Sequence, residues 1–259
     1  MKKTALITGA SDGIGLELTK IHASKGDDLV LVARTLSKLN ELKGQLESEF
    51  GIQVHTIQKD LSVPNAAREV YDEVAKKNIS IQYLINNAGF GDFGFFHESD
   101  WEKQAQMINL NIMALTQFTK LYLEDMIRQG GGKIMNVAST AAFQPGPLMA
   151  VYFATKAYVL HFSEAINNEV KEKGITVTAL CPGPTESGFK AGAEMEESRL
   201  MKGKKLPSSK EVAHFGYHKM MQGKAVAIHG LKNFILSNSV RFAPRSLSVK
   251  IAREVIKNG

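Results

Sequence analysis

The 259-residue sequence contains a single cysteine, Cys181, and a single tryptophan. A lone cysteine cannot close an internal disulfide, and without a Cys-x-x-Cys pair there is no thiolate framework for a structural zinc. A reducing, cytoplasmic location is expected. Only seven prolines are present, and no repeat, low-complexity tract or linker divides the chain. Charge of one sign is not concentrated in long runs. Thirty-two basic and 26 acidic residues leave +6, and the densest basic groups, Lys171 with Lys173 and Lys202 with Lys204 and Lys205, lack interleaved aromatics. A nucleic-acid partner is therefore not expected, and the charge reads as a solvated surface that mildly favours anionic ligands. Long apolar runs are missing too. After Lys2 and Lys3 the run Ala5–Ile7 is too short for the core of a signal peptide. The longest uncharged stretch, Ile134–Thr155, has the length of a membrane span. It holds Asn136, Ser139, Gln144, Pro145, Gly146 and Pro147, whose polar and backbone groups lipid cannot satisfy.

What is present is the profile of a globular protein with a full core: 44% hydrophobic, 22% charged, mean hydropathy −0.14. Continuous apolar runs at Thr4–Thr8, Leu29–Ala33, Val54–Gln58, Tyr83–Asn86, Lys133–Val137, Thr176–Leu180 and Ala225–Ile228 read as strands covered on both faces, as in a parallel sheet. Helical patterns lie between them. Leu39, Leu42, Leu46 and Phe50 follow a cap expected at Ser37, and Ser62 with Pro64 is expected to open the next helix, to about Lys77. A long helix is expected from Asp100 to about Gln129, stopped by Gly130-Gly131-Gly132. The alternation predicts one doubly wound α/β domain over residues 1–259, with a mostly parallel seven-stranded sheet and helices on both faces. Gly188–Pro207 is rich in both charges and reads as a surface excursion or as a mobile lid, since it follows a strand's carboxyl end. A helical extension, divided by Pro244, is expected over about 230–259.

Four sets of residues carry chemistry. The first strand runs into Thr8-Gly9-Ala10-Ser11-Asp12-Gly13-Ile14-Gly15 and then a helix. Glycines there allow a tight turn and let backbone N–H groups and the helix N-terminus meet a pyrophosphate. The second strand ends Val32-Ala33-Arg34. An acid at that point would bind a ribose 2′-hydroxyl, whereas arginine accommodates a 2′-phosphate, so NADP(H) is expected over NAD(H). Asp27 and Asp28 sit at the strand's other end. Asp60-Leu61 and Asn86-Asn87-Ala88-Gly89 place small polar groups on the same sheet edge, with Asp60 suited to the adenine. Tyr152 and Lys156 share a helical face, and a neighbouring cation favours the phenolate and lowers a tyrosine's pKa. Ser139, thirteen residues before the tyrosine, is placed to polarise the carbonyl that the tyrosine protonates. Asn111 is the remaining polar candidate. His214 and His218 have metal-pair spacing, but without an adjacent glutamate or a third ligand no metal is expected.

Taken in order, Thr8-Gly9-x-x-x-Gly13-x-Gly15, Asp60, Asn86-Asn87-Ala88-Gly89, Asn111, Ser139, Tyr152-x-x-x-Lys156 and Pro182-Gly183 resemble the short-chain dehydrogenase/reductase family, from Lys3 to about Ile228. The resemblance implies a Rossmann fold and a catalytic set of Asn111, Ser139, Tyr152 and Lys156. In it the serine orients the substrate and the tyrosine is the general acid/base. The lysine binds the nicotinamide ribose and lowers the tyrosine pKa, and the asparagine holds a relay water. The segment after Pro182-Gly183 borders the nicotinamide. Asp12 departs from the pattern of many NADP-dependent members, which carry Lys or Arg there. Relatives commonly pair through helices corresponding to 100–129 and 152–173, so a homodimer or homotetramer is implied.

The uncharged stretch is then one wall of a desolvated pocket, with Phe143, Pro145, Leu148 and Met149 as candidate lining. Phe90, Phe93, Phe95 and Phe96 follow the fourth strand, and Phe189 follows the sixth. With no charged residue placed to meet an ionic substrate there, a bulky or elongated apolar carbonyl or alcohol is the expected small-molecule partner. A dinucleotide-sensing regulator without turnover is the alternative; an intact Ser139, Tyr152 and Lys156 argues against it.

Overall fold

A computed structural model describes residues 2–186 and 206–257. Seven strands, β1 (Thr4–Thr8), β2 (Asp28–Ala33), β3 (Val54–Gln58), β4 (Tyr83–Asn86), β5 (Gly132–Val137), β6 (Ile175–Cys181) and β7 (Val226–Ile228), form one sheet in the order β3-β2-β1-β4-β5-β6-β7. Every neighbouring pair is parallel. The strand order reverses between β1 and β4, and in such sheets the crevice at that point, outside the strands' carboxyl ends, takes ligands.

The apolar runs work as both-face strands. Ala5 and Ile7 of β1 point into one core with Leu29 and Leu31 of β2, while Leu6, Val30 and Val32 point into the other. Helix α1 (Gly13–Ser24) and α2 (Leu36–Phe50) cover the first face, where Leu18, Leu39, Leu42 and Leu46 are buried. Helix α3 (Ala66–Lys76) and α5 (Leu115–Gln129) cover the second through Val70, Val74, Phe118, Tyr122 and Met126. The long helix α6 (Ala150–Val170) runs back into β6, and α7 (Ser209–Met221) carries a full capping box of Ser208 and Glu211. Asn86 is a core tie rather than a surface group. Its amide donates to Asn136 and Thr119 at 2.9 and 3.2 Å, and Asn136 donates on to Ser163 of α6.

Three helix boundaries differ from expectation. Helix α2 starts at Leu36 behind Thr35, not at Ser37, and Thr35 makes no side-chain cap bond. Helix α3 starts only at Ala66, because the Ser62 hydroxyl is drawn 2.7 Å onto Asp60 and Asn65 turns left-handed at φ +66. The long helix is not uniform. Helix α4 (Trp101–Ile108), capped by Asp100, passes through a π-helical run Asn109–Ala114 before α5 begins. The tail forms α8 (Leu231–Ser239) and α9 (Arg245–Ile256), with Pro244 at the start of α9. The stretch 188–207, including Phe189, lies outside the described residues except for Leu206 and Pro207.

Candidate active site

The turn after β1 is held by backbone and small groups. Gly9 (φ +65) and Gly13 (φ +55) adopt left-handed conformations that side chains disfavour. The Gly9 amide donates to Val32 at 2.8 Å, and the Asp12 carboxylate folds back to accept from the Gly13 amide at 2.7 Å. Asp12 thus caps α1, where its charge opposes the positive helix end rather than standing free. A Cβ at Gly15 would collide with the Gly9 carbonyl and the Asn87 amide, so only glycine fits. The turn after β4 is clipped to it. Asn87 Nδ2 donates to Thr8 and Gly9 carbonyls at 2.9 and 3.2 Å, and Thr8 Oγ1 accepts from the Asn87 and Ala88 amides, both at 3.0 Å.

These turns open onto a cavity of about 750 Å³ along the carboxyl edge of the sheet. Arg34, Thr35, Lys38, Lys59, Asp60 and Leu61 line one end. Arg34 is exposed at the end of β2, where its guanidinium is available to a ligand anion. Asp60 keeps one oxygen on the Ser62 amide and hydroxyl. Ser139, Tyr152, Lys156, Pro182 and Gly183 line the other end. Among the residues expected to catalyse or to hold the cofactor, Gly9, Ser11, Asp12, Gly13, Ile14, Asn87, Ala88 and Gly89 also line it, whereas Gly15, Asn86 and Asn111 stay off its wall. Asn111 is buried behind it: its amide donates to the Phe90 carbonyl and Thr155 hydroxyl at 3.0 and 3.1 Å, and its oxygen accepts from the Phe90 amide. Both amide N–H groups are engaged in fixing the loop after β4 to α6, and the side-chain oxygen keeps one acceptor site beyond the Phe90 amide.

Ser139 caps a short 3₁₀ turn, its hydroxyl accepting from the Ala141 amide at 3.1 Å, and it is hydrogen-bonded to the Tyr152 phenol. Lys156 is buried, donates to the Val137 carbonyl at 2.8 Å and lies 5.8 Å from the tyrosine ring centre. The expected lowering of the tyrosine pKa is not what this arrangement gives. Burial pushes the phenol up to about 12, and the Ser139 hydrogen bond offsets only part of that. Burial also pushes the ammonium down to about 8. Desolvation outweighs proximity for both groups, because each is enclosed by apolar neighbours.

The substrate wall is partly as expected. Phe90 and Met149 line the cavity, whereas Phe143, Pro145, Leu148, Phe93, Phe95 and Phe96 do not. Phe93 and Leu148 pack behind it, and Phe95 and Phe96 are exposed, Phe95 beneath the Arg253 guanidinium. Leu148 sits at φ +70, a strained value for leucine, directly before Met149. The wall also includes residues that periodicity does not single out. Gln144 and Phe153 line it, and α4 brings Lys103 and Gln106 to the rim, Lys103 paired with Asp92 at 2.5 Å. A charged group therefore does reach the cavity. The tail contributes as well: Ala252 and Ile256 of α9 pack with Met149, Tyr152 and Phe153, and a Cβ on Gly183 would collide with Asn233 of α8.

Short chain dehydrogenases as a family match residues 3–198. The chain belongs to the short-chain dehydrogenase family. A very-long-chain 3-oxoacyl-CoA reductase of Anas platyrhynchos is 33% identical over 185 residues, which is 69% of this short-chain dehydrogenase and 58% of that protein. The match thus spans little more than half of the curated relative. Among solved structures, a short-chain dehydrogenase from Sphingobium yanoikuyae in complex with NADPH superposes with TM-score 0.83 and 31% identity, covering 93% of this chain and 94% of that one. A bulky-bulky ketone specific alcohol dehydrogenase from Comamonas testosteroni gives 0.79 and 30%, covering 93% and 92%. The cradle suits the NAD(P) that the family uses. Its glycine turn leaves no room for a Cβ at Gly15, α1 presents its N-terminus, and a cationic end lies across the cavity from the Ser139 and Tyr152 hydroxyls.

Proposed function

We propose that this short-chain dehydrogenase interconverts a carbonyl and an alcohol with NADP(H), acting on a bulky or elongated apolar substrate. The observation that carries the reading is the set of half-buried Ser139 with buried Tyr152 and Lys156, opening on the same cavity as Arg34. A nicotinamide cofactor supplies hydride exchange with the carbonyl carbon when bound. The glycine turn and the α1 N-terminus hold its phosphates, and Arg34 with Lys38 meets a 2′-phosphate. Ser139 donates to the substrate oxygen and holds it within reach of the phenol. Tyr152, kept protonated by burial, gives its proton to that oxygen, which favours the reductive direction. Lys156, anchored on Val137, presents its ammonium beside the phenol and compensates the charge left when the proton moves. Phe90, Met149 and Phe153 exclude water from the reacting centre. The names of the Anas and Comamonas relatives, a long-chain oxoacyl reductase and a bulky-ketone dehydrogenase, support a large apolar carbonyl.

The test is oxidation of NADPH, with NADH in parallel, against a panel of diaryl and long-chain ketones, short ketones, aldehydes and 3-oxoacyl thioesters. Turnover concentrated on the large apolar members with NADPH is expected. Turnover confined to small polar carbonyls, or equal use of NADH, overturns the substrate or the cofactor part respectively.

A further inference from the structure

Helices α8 and α9 carry a share of charge and exposed apolar surface far out of proportion to their length. Residues 231–257 hold six basic side chains against one acid, Glu254, so five of the chain's six net positive charges fall in about a tenth of its residues. Nine of the 17 large exposed hydrophobic residues among those described fall in the same segment. Phe234 and Ile235 of α8 are more than half exposed, and Phe242 in the connecting turn is 90% exposed. Leu247, Ile251 and Val255, four apart on α9, form an exposed stripe.

These are outward faces, because the inward ones are already committed. Ser237 of α8 is buried and Asn233 abuts Gly183, while Ser248, Ala252 and Ile256 bury the other side of α9. Apolar side chains interleaved with unpaired-sign charge cost free energy in water unless something covers the first and neutralises the second. A bilayer surface does both. Acyl-chain boundaries accept phenylalanine and leucine, and anionic headgroups accept lysine and arginine. No described helix is long and apolar enough to cross a membrane, which leaves lying on the surface.

We propose that the outward faces of α8, α9 and their connecting turn seat this protein on an anionic membrane surface. The consequence for the site is geometric. The inner face of α9 packs on Met149, Tyr152 and Phe153, so one helix diameter, about 10 Å, separates the seated face from the substrate wall. An apolar carbonyl dissolved in the bilayer then has a short path to the cavity.

The experiment is co-sedimentation of the full chain with vesicles of phosphatidylcholine alone or mixed with phosphatidylglycerol. Binding to the mixed vesicles that weakens with added salt is expected. Lys232→Gln/Arg241→Gln/Arg245→Gln should weaken it by roughly a hundredfold, since each basic residue near such a surface contributes about fivefold. Phe234→Ser/Phe242→Ser should weaken it as well while leaving thermal unfolding and NADPH affinity unchanged, which separates lost seating from lost folding. Absence of wild-type binding to anionic vesicles overturns the proposal, as does binding that both variants leave intact. A stable dimer that Phe234→Ser/Phe242→Ser dissociates, without vesicle binding, assigns the face to a second copy and also overturns it.

Discussion

The two ends of the cavity are made from different materials. At the glycine-turn end the wall is mostly backbone, and what matters is the absence of side chains: Gly9 and Gly13 in left-handed conformations, Gly15 pressed on Gly9 and Asn87. At the tyrosine end the wall is side chains, and what matters is their burial, which holds Tyr152 protonated and makes Lys156 easier to deprotonate. One end should therefore fail by steric intrusion and the other by loss of a single proton-bearing atom. Substitutions at the first should cost stability and binding together, whereas those at the second should cost rate with the fold intact.

The largest effect belongs to the tyrosine end. Tyr152→Phe removes one oxygen, and turnover should fall by about 10²–10⁴-fold, the usual worth of general acid catalysis, while NADPH affinity is retained. Turnover within a few-fold of wild type would break the comparison at its strongest point. At the other end, Gly15→Ala drives a methyl into backbone atoms that have no rotamer to retreat to. A loss of about 3 kcal/mol in urea unfolding, with NADPH binding weakened in parallel, is expected. Wild-type stability in that variant would show that the turn yields. Arg34→Ala tests a side chain at that end that reads identity rather than making room. NADPH affinity should fall about ten- to a hundredfold and NADH affinity hardly at all, as isothermal titration of both cofactors would register. Equal losses would remove the 2′-phosphate assignment.

The smallest effect is a pH dependence. Lys156 titrates near 8 in the folded protein and near 10.5 when unfolded, so above pH 8 the unfolded chain binds the additional proton. Folding stability attributable to this group therefore rises with pH, by about 1 kcal/mol between pH 7 and 9. Comparing urea midpoints of wild type and Lys156→Met at both pH values isolates it. A difference that stays constant, or that moves against wild type, would mean that the ammonium is not desolvated.

How far the sequence could be read depends on what each feature rests on. Strand positions were legible to within about a residue, since runs such as Leu29–Ala33 are buried on both faces and leave no competing period. Helix starts were less so. Ser37 and Ser62 have the chemistry of caps, but Thr35 precedes the first helical turn and Ser62 is captured by Asp60, a contact set by the tertiary turn. The order of Ser139, Tyr152 and Lys156 announced proximity, yet the pKa directions depend on enclosure, which no spacing encodes. Asn111 was legible as an important amide but not as a brace to Phe90 and Thr155, and nothing in its neighbours signals the π-helical run. In the tail the two helical stretches divided by Pro244 were legible, but their docking was not, because the inward residues of α9, Ser248, Ala252 and Ile256, are mostly small and meet residues about a hundred positions away.

The clip between Asn87 and the Thr8–Gly9 carbonyls joins positions 79 and 78 residues apart in the chain. No local fragment can make it, so the phosphate cradle comes into being only when β1 and β4 are already side by side, late in the ordering of a sheet built from non-local parallel pairs. A dinucleotide can then recognise the native chain but not its unfolded ensemble, and its affinity is returned as resistance to unfolding. At a hundred times its dissociation constant the return is about 2.7 kcal/mol, which raises the melting temperature by several degrees in a chain of this size. Cells that keep the cofactor abundant would hold more of this protein folded.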